Sequence, residues 1–413
     1  MSHIAGLLGS LRILRYEMVH ITSSTGLAID AAAKAPVPAV MFLGDHFGYP
    51  SGVMHGVTSY FLNVLPALSA AGVDITVCFL RDPHPAAAAL RASGIEPLFL
   101  SASPLNPFVV SRVASVAKER GCRIIHGCGI KATLVARLVA RMVGANAIIH
   151  VHDLLYPKLL VSALHRVFSR STDTGLCVSE AVRDVAINGY HVPPDRCRVA
   201  YNGIRIDAMR RVASDARSSL RKELQVADAA DVIAMIGRMH PVKGHRGMVQ
   251  MMPSILRSRP GTVLLLVGDG PERQACEALA AQLGVQDHVR FLGQRTDVPE
   301  LLSASDLVVM PSQSEGLGLA AIEALAAGKP VVAYGVSGLR EVVSNDRDGK
   351  LVAAGDQNAF ARAVVTLLED RQLRESYSQY AMVAAERFAL ERHIETLLSC
   401  YREIDADASA VKA

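Results

Sequence analysis

The chain has 413 residues, half of them apolar, and a formal net charge of +4, which suggests two to three domains with large cores. The charge is uneven: residues 1–228 carry +8 and residues 229–413 carry −4. The basic half has no RNP string, zinc-finger spacing or arginine-rich run, so nucleic acid is excluded as the expected partner. Seven scattered cysteines, odd in number and mostly beside apolar runs, fit reduced thiols in a cytoplasmic protein, and no apolar run reaches the roughly eighteen residues of a membrane-spanning helix.

Residues 1–37 read as a lead-in. Met1 to Met18 places Ile4, Leu7, Leu8, Leu11 and Leu14 at helical spacing beside Arg12 and Arg15, which reads as a helix lying on a membrane surface, a helix packed on the protein or a disordered lead-in. From Ala39 strand-like and helical runs alternate. Strands are expected at Ala39 to Leu43, Ile75 to Phe79, Arg123 to Ile125, Ala147 to Ile149 and Thr174 to Val178, with helices near 56–71, 104–120, 130–143 and 157–170. That is the rhythm of a parallel sheet covered on both faces, and residues 38–207 read as one such domain. The rhythm restarts at Val232 to Ile236, Val263 to Val267, Val289 to Leu292, Leu307 to Met310 and Val331 to Ala333. Residues 208–387 therefore read as a second Rossmann-like domain, followed by a last helix over 388–407.

Several strand ends carry candidate chemistry. The first strand runs into a glycine-bearing loop, Gly44 to Val57, that opens a helix; Gly52, His55 and Gly56 there suit phosphate or acceptor contact, with His55 either a donor to phosphate or a plain loop histidine. His152 follows a strand at the place where open α/β sheets put ligands, while His150, two residues earlier, reads as structural. Cys122, His126 and Cys128 lack a second pair of matching spacing, so no metal site is expected. Arg238 and Lys243 stand five residues apart across a turn, a fork and a point charge able to converge on a diphosphate.

The densest signal is Ser314 to Pro330, SEGLGLAAIEALAAGKP, which reads as loop, helix and turn before the strand at Val331. A helix N-terminus beginning at Gly318 and Leu319 offers N–H groups and partial positive charge to an anion, and Gly316 and Gly318 permit close backbone approach. Glu315 and Glu323 frame the same place and accept hydrogen bonds from hydroxyls. Anion donors beside hydroxyl acceptors describe a sugar-phosphate or nucleotide site.

Glu315, seven residues and Glu323, within GLGL and EALAAGKPVV, resemble the signature of retaining glycosyltransferase family 4. The resemblance implies a GT-B fold, two Rossmann-like doubly wound parallel-sheet domains facing across a cleft, with the last helix crossing back onto the first domain. It implies that Glu315 contacts the donor sugar, Glu323 the nucleotide ribose, and that Arg238 and Lys243, in a string similar to the family's G-R-x-x-x-x-K-G, neutralise the leaving diphosphate. His152 would face the donor sugar. Gly268 matches the family's G-x-G-P turn, Leu292 belongs to a stretch resembling the one against the base, and Val336 to Glu341 resembles a later donor loop. His55 stands where the family has a glycine, and Arg205 where it has an acidic residue.

The expected activity is transfer of a sugar from a nucleotide-diphosphate sugar to an acceptor hydroxyl, without cofactor or metal, in polysaccharide or glycolipid biosynthesis. The expected partners are the nucleotide sugar and a carbohydrate or lipid-linked acceptor, with peripheral contact at the inner face of a membrane. A nucleotide-sugar epimerase, or a non-catalytic nucleotide-sugar-binding scaffold subunit, remains the alternative.

Overall fold

The computed structural model describes residues 37–48, 56–101, 107–213 and 215–412. The surface helix expected over Met1 to Met18, and the phosphate contacts expected of Gly52 and His55, lie outside them. The chain divides into two compact units, one running to Gly203 and resuming at Leu390, the other spanning Ile204–Ala389.

The first unit is built from β1 (Val40–Gly44), α1 (Gly56–Ala70), β2 (Ile75–Phe79), α2 (Ala87–Ala92), β3 (Leu98–Phe99), α3 (Pro107–Glu119), β4 (Ile124–Cys128), α4 (Ile130–Val143), β5 (Asn146–Val151), α5 (Leu159–Val167), β6 (Thr174–Cys177), α6 (Glu180–Asn188) and β7 (Cys197–Val199). Its seven strands are parallel in the order β3-β2-β1-β4-β5-β6-β7. The pleat sends Val40 and Phe42 into one buried cluster and Met41 and Leu43 into another, so both faces of the sheet are covered and β1 reads as an unbroken apolar run. Val40 pairs with both Ile75 and Ile124, which places β1 between β2 and β4.

The second unit comprises α7 (Ile206–Arg210), α8 (Ala216–Glu223), β8 (Val232–Ile236), α9 (His245–Ser258), β9 (Val263–Val267), α10 (Arg273–Gln282), β10 (Val289–Gly293), α11 (Val298–Ala304), β11 (Leu307–Met310), α12 (Leu319–Ala326), β12 (Val331–Tyr334), α13 (Leu339–Val342), β13 (Gly349–Val352), α14 (Gln357–Glu369) and α15 (Arg371–Ala385). Its parallel order is β10-β9-β8-β11-β12-β13. The final helix, α16 (Leu390–Lys412), returns to the first unit, where Leu390, Ile394, Leu397 and Tyr401 join the cluster around Val40 and Phe42.

The junctions fall at 203/204 and 389/390 rather than 207/208 and 387/388. Ile204 is already committed to the second unit, since its N–H donates to Phe388 O at 2.9 Å and it bridges to Ala389. Phe388, where the last helix was expected to begin, instead ends a separate turn, Glu386–Phe388. In each unit the strand order reverses once, between β1 and β4 and between β8 and β11; ligands of open α/β sheets bind outside the carboxyl ends of the strands at such a point.

Candidate functional site

In the second unit the loops leaving β8 and β11 meet at the reversal. Gln313 N–H donates to Val242 O at 2.8 Å. Gly244, at φ 80°, ends the short helical turn Pro241–Lys243, and a Cβ added to it would lie 2.1 Å from Pro311 O. Only glycine fits that conformation and that gap. The approach sets Lys243 against Glu315: Lys243 Nζ donates to both carboxylate oxygens, at 2.7 and 2.8 Å, and Ser312 Oγ donates to Glu315 Oε1 at 2.8 Å.

Lys243 was expected on the diphosphate and Glu315 on the sugar; in the structure they hold each other. Glu315 is only 7% exposed, and a carboxylate so far out of water needs a countercharge. With two of its three N–H donors on Glu315, Lys243 keeps one for a phosphate. Ser312 was missed by sequence reading, because a serine in a serine-rich loop gives no signal. The loop after β12 joins from the other side, with Gly338 N–H on Glu315 O at 3.1 Å.

The helix after the β11 loop, α12, begins at Leu319 behind Gly318 in left-handed conformation, φ 97°, and no side chain among the described residues caps it. Its first N–H groups therefore face the loop that carries Gly316. Glu323, four residues inside α12, is half-buried, and burial pushes its carboxyl up to about 7 with no charge or hydrogen bond offsetting it among the described residues. Arg238 is half-buried in the loop after β8, whose backbone is tied to the β9 end by Met239 N–H on Asp269 O at 2.9 Å. Gly268 donates its N–H to Gly293 O at 2.8 Å, and Leu292 is half-buried on β10. Arg238, Gly268 and Leu292 thus stand along adjoining strand ends. His245, which opens α9, was also missed: it is buried, and burial together with the Lys243 charge pushes it down to about 4, so it is neutral at neutral pH.

In the first unit His152 is half-buried just past β5, its ring 4.0 Å from that of His150 and 4.5 Å from that of Tyr60. Behind it lies a buried histidine and tyrosine array. His126 Nε2 is 3.0 Å from His150 Nδ1, Tyr401 OH is 2.8 Å from His126 Nδ1, and Tyr60 OH is 3.3 Å from His393 Nε2. Burial, aided by the neighbouring histidines, holds His126 and His150 well below their ordinary value, and burial pushes His393 down to about 4. No sequence spacing announces the array, since its members stand on β4, β5, α1 and α16. Gly56 is the exposed first residue of α1, whose Thr58 hydroxyl donates to Phe47 O at 2.8 Å.

His126, Cys128 and His150 bring one ligand atom each within 4.8 Å. Cys122 lies elsewhere, its thiol 3.9 Å from Thr76 Oγ1. The two histidines are bonded directly to each other, and burial pushes the Cys128 thiol up.

Family models for "Glycosyltransferase Family 4" and "Glycosyl transferases group 1" match residues 54–208 and 216–383. The D-inositol 3-phosphate glycosyltransferase of Salinispora tropica is 30% identical over 392 residues, 91% of this chain and 76% of the relative. The chain belongs to glycosyltransferase family 4. It is a nucleotide-sugar glycosyltransferase of GT-B fold. An Escherichia coli UDP-Gal:alpha-D-GlcNAc-diphosphoundecaprenol alpha-1,3-galactosyltransferase is 26% identical over 267 residues, 62% of this chain and 69% of the relative. Anabaena HepE, solved in complex with UDP, superposes with TM-score 0.78 at 24% identity, over 88% of this chain and 100% of that one. Among the described residues no helix is long and apolar enough to cross a membrane.

Proposed function

We propose that this family 4 enzyme is a retaining transferase that binds a nucleoside diphosphate sugar on its second unit and passes the sugar to a hydroxyl of a carbohydrate or lipid-linked acceptor held by the first. The observation that carries this reading is the Lys243–Glu315 pair at the β8/β11 reversal, beside the N-terminus of α12 that no side chain caps. Arg238, the remaining Lys243 donor and the N–H groups at Gly318 and Leu319 stabilise charge on the departing diphosphate. Glu315 orients sugar hydroxyls, Glu323 accepts from the ribose, Gly316 admits the phosphate, and Gly268 and Leu292 flank the nucleotide. His152, at the end of β5 in the first unit, is the side chain assigned to the sugar during transfer, and Gly56 begins the acceptor helix.

The acceptor oxygen attacks the anomeric carbon as the bond to the phosphate oxygen breaks on the same face, and the acceptor proton passes to that phosphate. With fixed cations and a helix terminus on the leaving group, the reaction needs no divalent metal, and activity survives a chelator. A uridine nucleotide is the first donor to test, as Anabaena HepE was solved with UDP and with UDP-glucose. The basic first half, and the diphosphoundecaprenol-linked acceptor named for the Escherichia coli relative, favour a lipid-linked acceptor and work at the inner face of a membrane.

The test is nucleotide release from a panel of nucleotide sugars by the full chain and by Lys243→Ala. Turnover is expected to fall by about 10²- to 10³-fold, measured at a temperature where thermal melts show the variant, its melting temperature lowered by about ten degrees through the unpaired Glu315, still folded. Unchanged turnover in the variant removes this mechanism.

A further inference from the structure

Helix α5 is turned inside out for a helix on a soluble domain. Its inward side is polar: Ser162 Oγ donates to Gly189 O at 3.1 Å, and buried His165 places Nδ1 2.6 Å from Arg137 Nη1 and Nε2 3.0 Å from Ile130 O. Its outward side is apolar, with Leu159 92%, Leu160 70% and Val167 71% exposed. These three and exposed Ala163 fall at i, i+1, i+4 and i+8, one continuous face of the helix. The loop leading into it adds Leu155 and Tyr156, 62% and 58% exposed. A patch of this kind marks a surface that meets something apolar.

The charges around the patch say what. Lys158, Arg166 and Arg170 are exposed beside it, and residues 154–172 contain no acidic residue. Apolar side chains at the centre, cations at the rim and a tyrosine among them match the boundary of an anionic bilayer, where leucines enter the acyl region, tyrosine sits at the headgroups and lysine and arginine meet lipid phosphates. A buried protein interface would not gain from three cations of one sign unless its partner were acidic.

We propose that α5 and the loop before it form a membrane-docking surface that lays the first unit on an anionic lipid bilayer. The proposal gives a location to the membrane contact suggested above but does not depend on the donor chemistry. Vesicle binding is measured without nucleotide sugar, and nucleotide release without vesicles, so each can fail alone.

The experiment is co-sedimentation of the full chain with vesicles of phosphatidylcholine alone and of phosphatidylcholine with phosphatidylglycerol. Wild type is expected to bind the mixed vesicles and to be released by salt. Leu159→Glu with Leu160→Glu should lose at least about tenfold in binding while melting and nucleotide release stay unchanged, because both side chains already face solvent. Neutralising Lys158, Arg166 and Arg170 to Gln should cost about fivefold per charge on the mixed vesicles and little on the neutral ones. The proposal is overturned if wild type binds neither vesicle, or if the double Glu variant binds as wild type does. It is also overturned if deletion of residues 1–18 abolishes binding that the double Glu variant keeps. Concentration-dependent self-association in place of vesicle binding, lost in the same variant, would assign the surface to a second copy of the chain instead.

Discussion

The two units share a sheet topology and treat its reversal point in opposite ways. In the first, the helix that follows β4 is closed by the chain itself: the carboxylate of Asp45, just past β1, accepts the N–H of Lys131 at 3.0 Å and that of Ala132. The partial positive charge of α4 is already answered there. In the second, the equivalent helix after β11 starts behind Gly318, whose position bears no side chain, and among the described residues no carboxylate is bonded to its first N–H groups; the nearby Lys243 and Glu315 pair with each other. Topology supplies two anion sites and side chains leave one open. That difference is what assigns the diphosphate to the second unit in the function proposed above.

The largest effect that would sharpen this contrast is acid unfolding. Burial pushes His165 and His393 down to about 4 and holds His126 and His150 well below their ordinary value, all four in the first unit. A base with a depressed folded pKa contributes stability that is whole above its unfolded value near 6.5 and lost as pH falls towards the folded value, on the order of 3 kcal/mol for each of His165 and His393. The second unit has one such group, His245, at about 4, and its loss is offset by Glu323, whose raised carboxyl relieves the folded state as pH falls from about 7 towards 4.5. In the first unit Asp45 and Asp153, also raised by burial, act in that same relieving sense, but from the lower ordinary value of 3.8. Hydrogen exchange followed by mass spectrometry between about pH 6.5 and 4 should show the first unit opening first. Simultaneous opening, or the second unit leading, breaks the comparison.

A smaller effect concerns the loops. Gly244→Ala puts a Cβ at φ 80° where Pro311 O already stands 2.1 Å away, so the Lys243 and Glu315 loops must part. Destabilisation of more than about 2 kcal/mol and a turnover loss of about 100-fold are expected from thermal melts and nucleotide release. Gly144→Ala, at φ 71° with nothing within 4 Å of its Cβ, should cost about 1 kcal/mol and leave turnover alone. Equal behaviour of the two variants would mean that the close approach at Pro311 does not hold the site.

Most of the second unit could be read from the chain because its site is local. Arg238 to Gly244 and Ser314 to Pro330 are contiguous strings in which glycines, cations and carboxylates fall within a few residues of the strand ends that display them. The first unit's array joins Tyr60, His126, His150, His393 and Tyr401, and the bond from His126 to Tyr401 spans 275 positions. Such contacts follow from α16 returning to the sheet, and no window of sequence contains them. Short elements were lost for a related reason. Helix α2, Ala87–Ala92, has only six residues, and α6, Glu180–Asn188, follows β6 after only a two-residue step in which Ser179 caps it, so neither stands apart from its neighbours as a separate periodic run. The pairing of Lys243 with Glu315 was hidden differently, since both residues were identified and each was assigned to a ligand.

The smallest effect tests Glu323, where a raised acid and a proposed ribose contact make one joint claim. With its carboxyl at about 7, much of the free protein carries it protonated at neutral pH, and a protonated carboxyl is a poorer acceptor for two ribose hydroxyls. Donor binding must then favour the ionised form, release a proton below about pH 7 and strengthen as pH rises through that value. Affinity at pH 6 should be about tenfold weaker than at the alkaline plateau. Titration calorimetry in two buffers of different ionisation heat reads the released proton directly, and Glu323→Gln should bind more weakly and without pH dependence. A wild-type affinity that stays flat from about pH 5.5 to 8, with no proton released, would detach Glu323 from the nucleotide even if Lys243 and Glu315 kept their roles, because the site at the β8/β11 loops does not need the second turn of α12 to hold a diphosphate.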